Sequence, residues 1–211
     1  KQMEQQVLMG CLDFVKPVLR DKETRLRVTI DGDLDALCTL TKMDFVESIY
    51  LDLTHKVKNI KKRLAKDWKK YTKYHEIIWK HFRNCVYSAT ELKESEFEIT
   101  PTEEDLDVVL HGLVDHLQDK HDKCFPEVCW LSNGDLTIQD PHLMDASKEE
   151  VAEFSLMIAT VYKRHQSQKL ITATRTTSNE AFNNSKLTIL DKRIDYAETF
   201  RARLCLVTLI R

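Results

Sequence analysis

The stretch MDFVESIYLDLTHKVKNIKKRLAKDWKKYTKYHEIIWKHFRNCVYS, Met43–Ser88, governs how the rest of the chain is read. Val46, Ile49, Leu53, Val57, Ile60, Leu64, Trp68, Tyr71, His75, Ile78 and Phe82 follow one another by threes and fours. Their mean spacing of about 3.6 residues keeps the stripe on one face of a straight α-helix, where a 3.5-residue repeat would wind into a coiled coil. Neither glycine nor proline interrupts the stretch. The spacing therefore predicts one central helix of about 45 residues, about 68 Å long, against about 45 Å for the diameter of a compact chain of this size. The expected fold is all-α: an elongated bundle of about five to seven helices around this long helix, with at most one or two short β-hairpins. His75, the polar member of the stripe, reads as a core or boundary residue with one ring nitrogen satisfied.

Outward from this helix the same logic holds. Val7, Leu8, Cys11, Leu12, Val15, Val18 and Leu19 repeat at helical spacing, with Pro17 expected to kink or shorten the helix. Leu26, Val28 and Ile30 alternate with polar residues and enter Asp31-Gly32-Asp33, which reads as a short strand and turn. That turn either closes a hairpin or lets Asp33 cap a helix from Leu34. Thr100-Pro101-Thr102-Glu103 signals a helix start, continuing through Leu106, Val109, Leu110, Leu113, Val114 and Leu117. Asn133-Gly134 between apolar runs signals a hairpin. Ser147 and Glu150 form a capping box ahead of Val151, Phe154, Ile158 and Val161, and a last helix is expected from about Lys186. Residues 89–99 and 166–185 read as mobile connections within a single domain, 1–211, excised from a longer protein.

The chain has 211 residues, enough to bury a core, with only four glycines and four prolines, a scarcity that disfavours sandwiches, barrels and glycine-cornered nucleotide folds. The six cysteines are scattered, four of them inside apolar helical patterns, and read as reduced thiols. No apolar run approaches the length of a membrane span, so the expectation is an intracellular protein, nuclear or cytoplasmic, with no membrane contact.

Charge is segregated although the net value is only −2. Between His55 and Arg83 eleven Lys or Arg face two acids, whereas Ala89–Asp122 holds eleven acids and two lysines. On a helical wheel Lys58, Lys62, Lys66, Lys69, Lys73, Lys80 and Arg83 lie opposite the apolar stripe, a ridge suited to an acidic partner or to phosphates. A solvated face neutralised by the acidic segment explains the same pattern. Trp68, Tyr71 and Phe82 belong to the stripe and so to the core, away from base stacking.

His116, His121, Cys124 and Cys129, with His111 and His142 near, have spacings too loose for a zinc knuckle and read as buried thiols and exposed helix-end histidines. Asp107, His111 and Asp115 share a helical face, most simply a solvated one. Asp31-Gly32-Asp33-Leu34-Asp35 departs from a calcium loop in its glycine position and in Lys42 at the twelfth place. Phosphate-loop, GxGxxG, GxSxG and HExxH patterns are absent. The sequence thus points to a non-catalytic helical protein–protein interaction module without cofactor or metal. Nucleic-acid binding along residues 56–83 is the alternative, and an enzyme or metalloprotein using His111, Asp115, His116, His121 and Cys124 the third reading.

Overall fold

The computed structural model describes residues 2–94, 100–123 and 142–173, with side chains from residue 8 onward. The chain divides into two compact units, 1–173 and 174–211, and the description below concerns the first. The hairpin expected at Asn133-Gly134 and the helix expected from Lys186 lie outside the described residues.

The elements in chain order are α1 (Gln2–Asp21), β1 (Leu26–Ile30), α2 (Leu34–Leu40), β2 (Val46–Leu51), α3 (Leu53–Asp67), a 3₁₀ segment (Lys69–Tyr74) and α4 (His75–Glu94). After these come α5 (Glu103–His111), the single turn α6 (Leu113–His116), α7 (Lys148–Tyr162) and β3 (Gln168–Lys169). Helix predominates, but the three strands form one parallel sheet in the order β1-β2-β3. Parallel neighbours need crossovers, and α2 supplies the first of them.

Two expectations are overturned here: the fold is not all-α, and no single long helix runs from Met43 to Ser88. Val46–Leu51 is the central strand, paired with β1 (Val28 opposite Ile49) and with β3 (Tyr50 opposite Lys169). Its residues Ser48–Leu51 are buried without alternation, as in a strand covered on both faces, and so carry no period of two. Val46, Ile49 and Leu53 only happen to satisfy helical spacing. Asp52 then ends the strand and opens α3: its backbone N–H donates to the Ile30 carbonyl at 2.7 Å, and its side chain accepts from the His55 N–H at 3.0 Å.

The second break is at Trp68, whose φ of −128° and ψ of 41° leave the helix. The 3₁₀ segment reverses the chain, so α4 returns along α3, with Lys61 meeting Trp79 and Lys56 facing Phe82. His75 Nε2 lies 3.0 Å from the Trp68 carbonyl, which also accepts the Tyr71 N–H at 3.0 Å, and this satisfies one ring nitrogen as expected. Tyr71 and Tyr74 are buried three residues apart, the 3₁₀ repeat, so the apolar pattern crosses the corner without losing phase. The elongation inferred from a 68 Å helix loses its basis. The strands are likewise no hairpins, since Asp33 caps α2 through the N–H groups of Asp35 and Ala36. Gly32 makes the preceding turn at φ +96°, where a Cβ would also press on Leu51 at 3.3 Å.

The larger core gathers Ile60 and Leu64 of α3, Ile78, Phe82 and Val86 of α4, Leu106 and Leu110 of α5, and Phe154 and Ile158 of α7. A smaller one joins Leu12, Leu37, Leu40, Phe45 and Ile49. Tyr162 Oη donates to the Ile78 carbonyl at 2.7 Å and Tyr74 Oη to that of His142 at 2.9 Å, binding both flanks to the α3–α4 hairpin. The Ser147–Glu150 capping box forms as expected. That of α5 lies two residues later than expected, with Thr102 as cap and Asp105 as its partner, and α1 continues through Pro17.

Candidate functional site

The cationic residues singled out in the sequence fall into three groups on the folded chain. Lys58, Lys62 and Lys66 are exposed and one helical turn apart on α3, so they form a row. Lys69 and Lys73 are exposed on the 3₁₀ corner that follows α3. Lys80 and Arg83 sit on the returning arm and do not prolong the row. Lys80 pairs with Glu76 at 2.8 Å, and the Arg83 guanidinium lies 5.4 Å from the Trp79 ring centre.

The ion pairs of the surface leave the row out. Arg27 is paired with Glu47, Lys70 with Glu153, Lys123 with Asp115, and Arg164 with Glu103 and Asp107. Among the described residues no carboxylate lies within ion-pairing distance of Lys58, Lys62, Lys66, Lys69 or Lys73. Four of the described acids of 89–122 turn elsewhere: Glu103 and Asp107 to Arg164, Asp115 to Lys123, Asp105 to the Thr102 cap. Trp68, Tyr71, Tyr74 and Phe154 form a ladder of ring contacts behind the corner, as core aromatics.

Sequence reasoning missed a second concentration of charge beside the row. Lys56 is buried, and its Nζ donates to the Lys163 carbonyl at 2.6 Å and to the Val161 carbonyl at 3.4 Å. Burial, with repulsion from Arg63 and Arg164, pushes its pKa down to about 8. An open crevice of about 500 Å³ lies over it, past the carboxyl ends of β1 and β2, and Lys62, Arg63, Lys163, Arg164 and His165 line it. The Asp33 and Asp52 caps, each placed just after a strand, were the sequence signal for such a crevice, because ligand clefts of open parallel sheets lie at strand carboxyl ends. Nothing in the sequence marked Lys56 itself, which lies beside the stripe residue Val57.

Glu103 was expected only as a capping residue. Its Oε1 instead accepts the N–H groups of Leu170 at 2.8 Å and Ile171 at 2.9 Å, while Oε2 meets Arg164 at 3.0 Å.

The histidines separate, and His116 is buried where an exposed helix-end residue was expected. His81, His116 and His121 stack edge to face, His116 Nδ1 stands 3.1 Å from His121 Nδ1, and Cys85 Sγ lies 3.5 Å from His81 Nε2. Burial pulls the His81 pKa down to about 3, with His116 adding repulsion, and the His116 pKa down to about 4, with His121 adding to it. His111 leaves this group, its Nδ1 lying 2.7 Å from the Asp107 carbonyl, and His142 is exposed. Among the described residues no three such side chains converge as metal ligands. Cys124 and Cys129 lie outside the described residues. No helix among the described residues is long and apolar enough to cross a membrane.

No protein-family model, curated protein or solved structure matches this chain.

Proposed function

We propose that this chain is a non-catalytic interaction module of a larger intracellular protein, and that the row Lys58, Lys62, Lys66 with Lys69 and Lys73 holds an acidic surface of a protein partner. The observation that carries this reading is a concentration of exposed cations, three lysines one turn apart on α3 and two on the corner after it. Arg27, Lys70, Lys80, Lys123 and Arg164 each have a carboxylate partner, whereas the five lysines of the row have none among the described residues. Opposed charge across an interface speeds encounter and fixes register. The exposed apolar pair Phe14 and Val18 on α1 is a further surface of the kind protein contacts use.

Nucleic acid is the second reading, favoured by the one-turn spacing of three lysines along a rigid helix. The protein reading ranks above it because the aromatic rings near the row face the core, leaving no stacking platform, and the net charge of −2 gives no general attraction to phosphate.

The test is a charge reversal that spares the crevice: Lys58→Glu, Lys66→Glu, Lys69→Glu and Lys73→Glu together. Under the protein reading, a partner cross-linked to the wild-type chain in nuclease-treated extract disappears with this variant, while its thermal midpoint stays near that of wild type. Retention of labelled RNA or DNA that falls steeply with salt, and is lost in the same variant, would replace the protein reading by the nucleic-acid one.

A further inference from the structure

The crevice at the carboxyl ends of the strands carries a separate conclusion. Its wall combines cations with apolar surface: Lys62, Arg63 and Lys163 at the rim, Leu51, Ile60 and Val161 within. No carboxylate is among its described lining residues. Arg164 is held on its far side by Glu103 and Asp107, and Arg63 spends one N–H on the Thr160 carbonyl at 3.0 Å. Lys62 and Lys163 have no carboxylate partner among the described residues. Beneath them the Lys56 ammonium is fixed by two carbonyl acceptors, so it is oriented without being neutralised. Like charges gathered in a partly desolvated recess repel one another, and a bound anion relieves that repulsion.

We propose that this crevice binds a small organic phosphate, with Lys62, Arg63 and Lys163 holding the phosphoryl oxygens above Lys56 and the Leu51, Ile60 and Val161 wall taking the organic part. A volume of about 500 Å³ suits a ligand of mononucleotide or sugar-phosphate size. Guanidinium and ammonium donors at one rim favour phosphate through charge-assisted hydrogen bonds. The low pKa of Lys56 agrees with a pocket short of negative charge.

The experiment is calorimetric titration of the full chain with adenosine monophosphate, ribose 5-phosphate, inorganic phosphate and adenosine at one ionic strength. Saturable binding is expected for at least one organic phosphate, about tenfold or more tighter than inorganic phosphate and than unphosphorylated adenosine. Arg63→Glu and Lys163→Glu, each at the exposed rim, should weaken it by about tenfold or more, whereas Lys69→Glu at the corner leaves it unchanged. Three results overturn the proposal: no saturable binding by either organic phosphate, inorganic phosphate binding as tightly, or equal affinity in the rim variants. The corner variant separates this site from the lysine row, whose partner requires Lys69 and Lys73.

Discussion

The Lys61 ammonium stands 3.6 Å from the centre of the Trp79 ring, although 18 positions separate the two residues. On a straight helix they would lie about 27 Å apart. The contact locks the returning arm α4 against α3, and Arg83 approaches the same ring at 5.4 Å.

Spin labels replacing Lys58 and Arg83, in a background with the native cysteines removed, should report a separation below about 20 Å, because packed helix axes stand about 8–10 Å apart. A value near about 38 Å would mean the continuous helix after all. Trp79→Ala should cost about 2 kcal/mol in urea unfolding, combining lost burial with the loss of two cation–π contacts.

Much of the helical content was legible because burial on one face leaves a period. α1, α7 and the capping box of Ser147 and Glu150 follow from that period and from cap chemistry. The two failures have one origin. A strand buried on both faces has no alternation, so Ser48–Leu51 blended into the stripe on either side of it. The corner used no glycine or proline, because a 3₁₀ turn needs none and Tyr71 and Tyr74 kept the phase. Asp52 was the overlooked signal, an N-cap residue standing in the middle of what spacing alone made a helix. Of the site, the exposed row on α3 could be read from the helical wheel. Lys56, Arg164 and the use of Glu103 could not, since they depend on chain segments about 60 to 110 residues apart in sequence meeting at the sheet end.

The Lys56 pKa of about 8 lies below the ordinary 10.5, so between these values the unfolded chain holds a proton that the folded chain has lost. Folding therefore gains stability from this group as pH rises from about 8 to 10.5, by up to about 3 kcal/mol. Lys56→Met should remove that gain. The difference in urea midpoint between wild type and variant, measured at pH 7 and pH 10, should shift in favour of wild type at the higher pH. A difference that does not change with pH would mean an unburied ammonium.

His81 and His116 act at the other end of the scale. Both have folded pKa values, about 3 and about 4, below the ordinary 6.5, so below pH 6.5 the unfolded chain takes up protons that the folded chain refuses. Stability is complete above pH 6.5 and is lost as pH falls toward these values. The fully buried His81 alone should cost about 2 kcal/mol at pH 5. The groups facing the pair are His121, Asp115, Cys85 and the Val109 carbonyl. Chemical denaturation of wild type and His81→Asn between pH 7.5 and 5 checks this. The variant should be the weaker at pH 7.5, having lost ring packing, and the gap should close on acidification because an amide side chain does not titrate. A gap that stays constant would mean that His81 takes up its proton as readily in the folded chain as in the unfolded one.

Glu103 ties α5 to the chain after β3 through two backbone N–H groups and Arg164. Glu103→Ala leaves the half-buried guanidinium with Asp107 alone and strands both N–H groups, so it should destabilise by about 3 kcal/mol or more. Glu103→Gln keeps one acceptor oxygen and should recover part of that loss in the same urea titration.

The lysine row is tested most directly by its chemical accessibility. The acetylation rates of Lys58, Lys62, Lys66, Lys69 and Lys73 can be read by mass spectrometry, first on the purified chain and then on the native assembly isolated from cells, before and after nuclease treatment. Protection of these five by about tenfold or more, with exposed Lys22 and Lys148 unchanged, is the expected result for a protein partner seated on the row. Equal reactivity in both preparations would contradict the account, and protection that vanishes with nuclease would assign the row to nucleic acid.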